Sequence, residues 1–217
     1  MALRRARQRL FVLLVGIVVA LPSLAVERPR CRCVPEGCTV PYIACRKAVD
    51  TRTARELLAY TRTVLRAAFP GRFELPPTLD VVAVPSWELK RVGGEPVLGY
   101  WDEQRILVSE DLYRGQGLAV VAHEYGHYWH FQHHPEPDAM SEPMVEGFAE
   151  WVAFQTLKRA GHLDECDRIR TNTDPVYGHG FRWFRNVERE HGADAVFDIA
   201  LTWIDFQGHR VATGNKP

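Results

Sequence analysis

His123-Glu124-Tyr125-Gly126-His127 sets two imidazoles four residues apart with a carboxylate beside the first. On a helix, positions i and i+4 lie one turn apart on one face. Both rings then reach a single metal ion, and Glu124 can hold a water next to it. The chemistry this suits is hydrolysis. Zinc held by three protein groups, with a fourth position open, makes water a nucleophile near neutral pH, and the adjacent carboxylate takes its proton. Five of the nine histidines fall between positions 123 and 134, so His130, His133 and His134 also need a place.

The third ligand is sought downstream. Glu146, within Val145-Glu146-Gly147-Phe148-Ala149-Glu150-Trp151, follows His127 with 18 residues between them. That interval lets the first helix end, a loop turn, and an antiparallel second helix aim a carboxylate back at the metal. Gly147 is expected to let these two helices approach closely. Glu150, one turn beyond Glu146, falls on the same face, where a carboxylate orients a ligand histidine through its other ring nitrogen. The expected assignment is zinc on His123, His127 and Glu146, with Glu124 as general base. In a rival set His133 replaces Glu146, six residues after His127, as in metzincin-type peptidases. It requires the helix to break at His130, and a left-handed turn costs a histidine on the order of 1 kcal/mol or more. A catalytically silent metal-binding domain and a histidine-rich metal buffer are the readings from other classes.

His-Glu-x-x-His, 18 residues and then Glu-Gly-Phe-Ala resembles the gluzincin zinc metallopeptidases, in spacing most of all their aminopeptidase and leukotriene hydrolase branch. Val176-Tyr177-Gly178-His179-Gly180-Phe181, with Gly192 fifteen residues after the tyrosine, is similar to that branch's Tyr-x-Lys-Gly-Phe helix start. The resemblance implies that Tyr177 donates its hydroxyl to the oxyanion of the tetrahedral intermediate. His179, standing where the branch has lysine, is the alternative donor. It also implies a zincin architecture in which an edge strand at Gly99-Tyr100-Trp101 lies above the cleft and a peptide adds as a further strand. The branch's Gly-rich motif, with its acid for a substrate amino terminus, has no clear counterpart, and neither do its large flanking domains. The expectation is therefore an open, endopeptidase-like cleft acting on peptide or protein substrates.

Several elements must position these residues. Ala54, Leu57, Leu58, Thr61, Val64, Leu65 and Ala68 recur at helical spacing up to Pro70-Gly71, with Thr53 and Glu56 read as a capping box. Leu79 to Val84 reads as a strand, and Val97 to Trp101 with Arg105 to Val108 as a hairpin turning at 102–104. One amphipathic helix carries the paired histidines on its polar face, with Val121, Tyr125 and Trp129 on the apolar side, and ends near His133. Another runs from Ser141 or Glu142 to Gly161. Two more follow, through Phe181, Phe184 and Val187 and through Val196, Ile199, Ala200 and Trp203. Strands first and helices afterwards give an α+β class: a small antiparallel sheet with its edge hairpin, then an active-site helix pair and C-terminal helices, in a minimal zincin-like domain over 51–207 with a polar tail at 208–217.

Composition bounds the rest. With 46% hydrophobic and 25% charged residues the chain is neither disordered nor collagen-like. The balance of 27 basic and 27 acidic residues leaves no positive excess for a nucleic-acid partner. The balance is uneven along the chain: Arg4, Arg5, Arg7 and Arg9 precede an uncharged run from Leu10 to Leu21, with Ser23 and Ala25 after it. That pattern is a secretory signal peptide over 1–25, cut after Ala25, and the alternative is an uncleaved membrane anchor. Removing four arginines leaves 23 − 27 = −4 for the mature chain. A secreted or periplasmic location with no stable membrane span is expected. Cys31, Cys33, Cys38 and Cys45 within a lead-in at 26–50, with Cys166 far downstream, suit disulfide stapling in an oxidising compartment. Five cysteines leave at least one unpaired within the chain.

Overall fold

The computed structural model describes residues 48–76, 78–93, 97–134 and 140–202. The leader, the four clustered cysteines and the tail, including Trp203, lie outside the described residues. Within them the protein is α+β and mostly helical. Its elements are α1 (Thr51–Ala68), β1 (Asp80–Val84), α2 (Ser86–Gly93), β2 (Gly99–Trp101), β3 (Arg105–Ser109), α3 (Arg114–His133), α4 (Glu142–Ala160), α5 (Leu163–Thr171), α6 (Tyr177–His191) and α7 (Ala193–Ala200). Among the described residues no helix is long and apolar enough to cross a membrane.

The sheet is mixed, a correction to the antiparallel one expected. Its order is β1-β3-β2, with β1 parallel to β3 and β2 antiparallel to it. The hairpin is as expected, but the chain crosses through α2 before entering it. β3 therefore returns beside β1 running the same way, with Asp80 opposite Arg105 and Val84 opposite Ser109. The sequence reading had no α2. Pro85, directly after β1, accepts the N–H groups of Glu88 and Leu89 on its carbonyl and so opens that helix. It had no α5 either; nine residues with three buried side chains carry too weak a pattern to stand out.

The capping box is also corrected. Asp50 caps α1, its carboxylate accepting the Thr53 N–H at 2.7 Å. Thr53 is buried one turn inside, and Glu56 pairs with Arg52 and Arg114 at 3.4 Å each. Asp in place of a Thr at the cap follows the same logic of satisfying an orphan amide.

α3 and α4 are not amphipathic. Both are buried nearly all round, α3 from Gly115 to His130 with few gaps and α4 from Met144 to Leu157. They lie against each other, with α1 and the sheet on one side of α3 and α6 against α4. Trp129, Phe148, Trp151 and Phe197 meet with ring centroids 4.9–6.2 Å apart, in tilted, stacked and edge-on contacts, geometries that favour aromatic pairs. The close approach of α3 to α4 occurs at Gly126, where an added Cβ would sit 2.9 Å from the Ala149 Cα. Gly147, expected in that role, faces α6 instead: a Cβ there would lie 2.4 Å from the Gly180 carbonyl carbon. Gly161, left-handed at φ 75°, closes α4 as the sequence reading expected.

Two predictions follow from this packing. Gly126→Ala gains helix propensity of about 1 kcal/mol but forces α4 away, so a net destabilisation of about 1–2 kcal/mol is expected, read as a lower urea midpoint. Cys166 is buried beside the Phe154 carbonyl, and burial pushes its thiol up to about 11. Peptide mapping after alkylation at pH 8 should find Cys166 unmodified in native protein and modified once it is unfolded.

Candidate metal centre

The centre of the α3–α4 contact is polar. Nε2 of His123 lies 3.1 Å from Oε2 of Glu146 and 3.0 Å from Nε2 of His127, and the third side of that triangle, His127 to Glu146, is 3.3 Å. These three residues form the one group of potential metal ligands found among the described residues. The triangle matches a tetrahedral ion: ligands about 2.0 Å from zinc stand about 3.3 Å apart. Two ring nitrogens and a carboxylate oxygen turned toward one point form a donor set suited to a shared cation.

The surrounding charges agree with that reading. Burial works against charge on every group here. At His127 the carboxylates of Glu146, Glu124 and Glu150 outweigh it and push the imidazole up to about 9. Against the same burial, His127 and the hydrogen bonds from both histidines hold Glu146 down at about 2. Burial dominates at His123, which falls to about 4. A positive charge is thus favoured where the donors converge. His127 is the least buried of the three, its side chain 17% exposed, so the centre is reached from that side.

Glu124 is buried beside the edge strand. Leu98 and Asp102 bond to β3, and backbone groups alternate along a strand. Gly99 and Trp101 therefore turn theirs to the other edge of β2, where the Trp101 backbone hydrogen-bonds the Glu124 carboxylate. Gly99 has no room for a side chain: a Cβ would sit 2.2 Å from Val120 Cγ1 and 3.0 Å from Glu124 Oε1. Burial raises Glu124 to about 7 despite the nearby His127. Glu150 is buried 3.8 Å from His123 Nδ1, slightly beyond hydrogen-bonding distance, and burial raises it to about 8. Tyr177 packs near His123, ring centroids 6.1 Å apart. Burial, followed by Glu146, Glu124, Glu142 and Glu150, raises its hydroxyl well above the ordinary phenol range.

Other expected site residues lie elsewhere. On the edge strand, Trp101 is buried against Tyr128 and Phe131, and Tyr100 packs on the opposite side with Val84, Leu89, Val97 and Leu107. What β2 presents is backbone. His179 is exposed, a little over half a helical turn around α6 from Tyr177. His133 stacks on Trp129 at 4.5 Å, with Nδ1 2.8 Å from the Trp129 carbonyl oxygen. α3 runs through His130 without the break a histidine triad would need. His130 and His134 are both buried, and His130 Nε2 donates to the Ala200 carbonyl at 2.7 Å. His130 and His134 are thus enclosed in the packing, while His133 lies exposed along Trp129.

Gly99, Gly180 and the Trp101 amide were missed as contributors. A glycine flanked by strand residues signals close backbone approach, but the sequence does not name what approaches. No family model, curated protein or solved structure matches this chain.

The buried His130 generates a pH prediction. Burial lowers its pKa from 6.5 to about 3, against the opposing bond to Ala200. Only the unfolded chain then takes up this proton, so the contribution is level above about pH 6.5 and stability falls as the pH drops from there. The slope reaches about 1.4 kcal/mol per pH unit for one proton. His130→Gln, which keeps a donor, should show a shallower acid limb by about one proton in urea titrations between pH 6 and 4.

Proposed function

We propose that this chain is a zinc-dependent metallopeptidase of the gluzincin type, built on a minimal zincin-like domain. The carrying observation is the donor triangle of His123, His127 and Glu146, sides 3.0–3.3 Å, with Glu124 and Tyr177 beside it. Zinc held there would supply a Lewis acid and lower the pKa of water toward neutrality. The donor set fits zinc, which takes histidine nitrogen and carboxylate oxygen in tetrahedral geometry.

The remaining work falls to side chains. Glu124, near 7 and fixed by the Trp101 backbone, accepts the proton of the attacking water and passes it to the leaving amine. Groups poised near the working pH do this best. Tyr177 keeps its proton at any working pH and donates it as a hydrogen bond to the developing oxyanion, a contact worth about 3–4 kcal/mol. Glu150, 3.8 Å from Nδ1 of His123, is placed to orient that ring once the metal is bound. The outward backbone of β2 beside Glu124 suits an extended peptide pairing with that edge. The leader-like composition of 1–25 supports work in a periplasm or outside the cell.

Metal analysis and a peptide library test this directly. One tightly held zinc per chain and cleavage abolished by a chelator are expected. Glu124→Gln should keep the zinc and lose between about 10²- and 10⁴-fold in kcat, and Tyr177→Phe about 10²- to 10³-fold. Equal cleavage by wild type and Glu124→Gln would refute the general base. Several weakly bound ions with no dependence on Glu146 would refute the site itself.

A further inference from the structure

The segment leading into α6 is bound to the first turn of that helix more tightly than a connecting loop requires. Oδ1 of Asp174 accepts the N–H groups of Val176 at 2.8 Å and Tyr177 at 2.9 Å, while the Asp174 N–H donates to Oδ1 of Asn172 at 2.9 Å. The Asp174 carbonyl accepts from the His179 N–H at 3.0 Å. On the other side of the turn, the Arg182 guanidinium donates to the Asn172 carbonyl at 2.5 Å, and a Cβ on Gly178 would come within 2.0 Å of that same oxygen. The turn is also pressed onto α4, since a Cβ on Gly180 would lie 2.1 Å from the Pro143 carbonyl oxygen. Tyr177 is thus held at its own amide, with close backbone packing one and three residues later.

A tyrosine that only filled space would not need its backbone fixed at three points. A hydroxyl that must meet a developing charge does, because misplacement by about 1 Å can cost on the order of a hundredfold in rate. We propose that Asp174 is a positioning residue: by capping the amides of Val176 and Tyr177 it holds the Tyr177 side chain beside His123 and the donor triangle. The inference rests on the metallopeptidase reading for its consequence in rate, and on the geometry alone for its consequence in structure.

The test uses the full chain and two separate readouts. In the first, 3-fluorotyrosine replaces Tyr177 and the fluorine solvent-isotope shift is measured. Wild type and Asp174→Asn, which keeps an acceptor, should give the small shift of a buried ring. Asp174→Ala, and Asp174→Glu, whose carboxylate is one methylene too far out, should move at least halfway toward free fluorotyrosine. In the second, kcat for peptide hydrolysis should fall about ten- to a hundredfold in Asp174→Ala with KM and zinc content unchanged, and recover in Asp174→Asn. Asp50→Ala, which removes the cap of α1, should leave kcat as in wild type. Asp174→Ala combined with Tyr177→Phe should be no slower than Tyr177→Phe alone. An unchanged fluorine signal in Asp174→Ala, losses that multiply in the double variant, or an equal loss in Asp50→Ala would overturn the proposal. A wild type without hydrolytic activity would sink the functional reading instead, and the fluorine signal would still decide what Asp174 does.

Discussion

Four ionisable side chains, His123, Glu124, Glu146 and Glu150, are buried together where α3 crosses α4. Taking such groups out of water costs several kcal/mol each unless partners are close. His123 and Glu146 meet at 3.1 Å, Glu124 bonds the Trp101 backbone and Glu150 lies 3.8 Å from His123, so the fold must hold these groups close. That requirement explains why the two helices carrying them are the most enclosed in the molecule, and why glycines stand at their crossings. Gly126 lets α3 rest on the Ala149 backbone, and Gly147 lets α4 rest on Gly180. The first contact sets the separation of the two histidines from Glu146. The second brings Tyr177 into the same neighbourhood.

The rest of the structure keeps that crossing in register. Glu188 of α6 accepts from Trp151 at 3.0 Å and from Gln155 at 2.9 Å on α4, and from Arg185 on its own helix. Trp129 donates to the Arg72 carbonyl and stacks on His133, while His130 ties the end of α7 to α3. On the opposite side the sheet contributes through its edge: among the described residues β3 is central and β2 pairs with it alone, and β2 abuts Glu124. The histidines that looked surplus to a single metal are spent on this frame.

The site was more legible than its setting. Four-residue spacing within a helix places His123 and His127 together whatever surrounds them, and 18 intervening residues leave few ways to return Glu146 except on an antiparallel neighbour. Helix ends with strong local chemistry, such as Gly161 after α4, were equally readable. Less was visible where a pattern was short or where packing overrode it. α2 and α5 are too short to declare a period, and the polar face expected of α3 is covered by α4. The direction of β1 relative to β3 depends on a crossover helix hidden behind a proline.

By itself the sequence determined which residues can bind a metal and which carboxylate lies beside them, because those relations are set by helix geometry over a few residues. It also determined the α+β order and the hairpin, through periodicity and turn chemistry. Only the tertiary structure decided which helices the glycines bring together, which histidines are packing, and that the edge strand meets Glu124 with its backbone. Those are contacts between segments far apart in the chain, and close packing selects them by volume and direction, which no local spacing records.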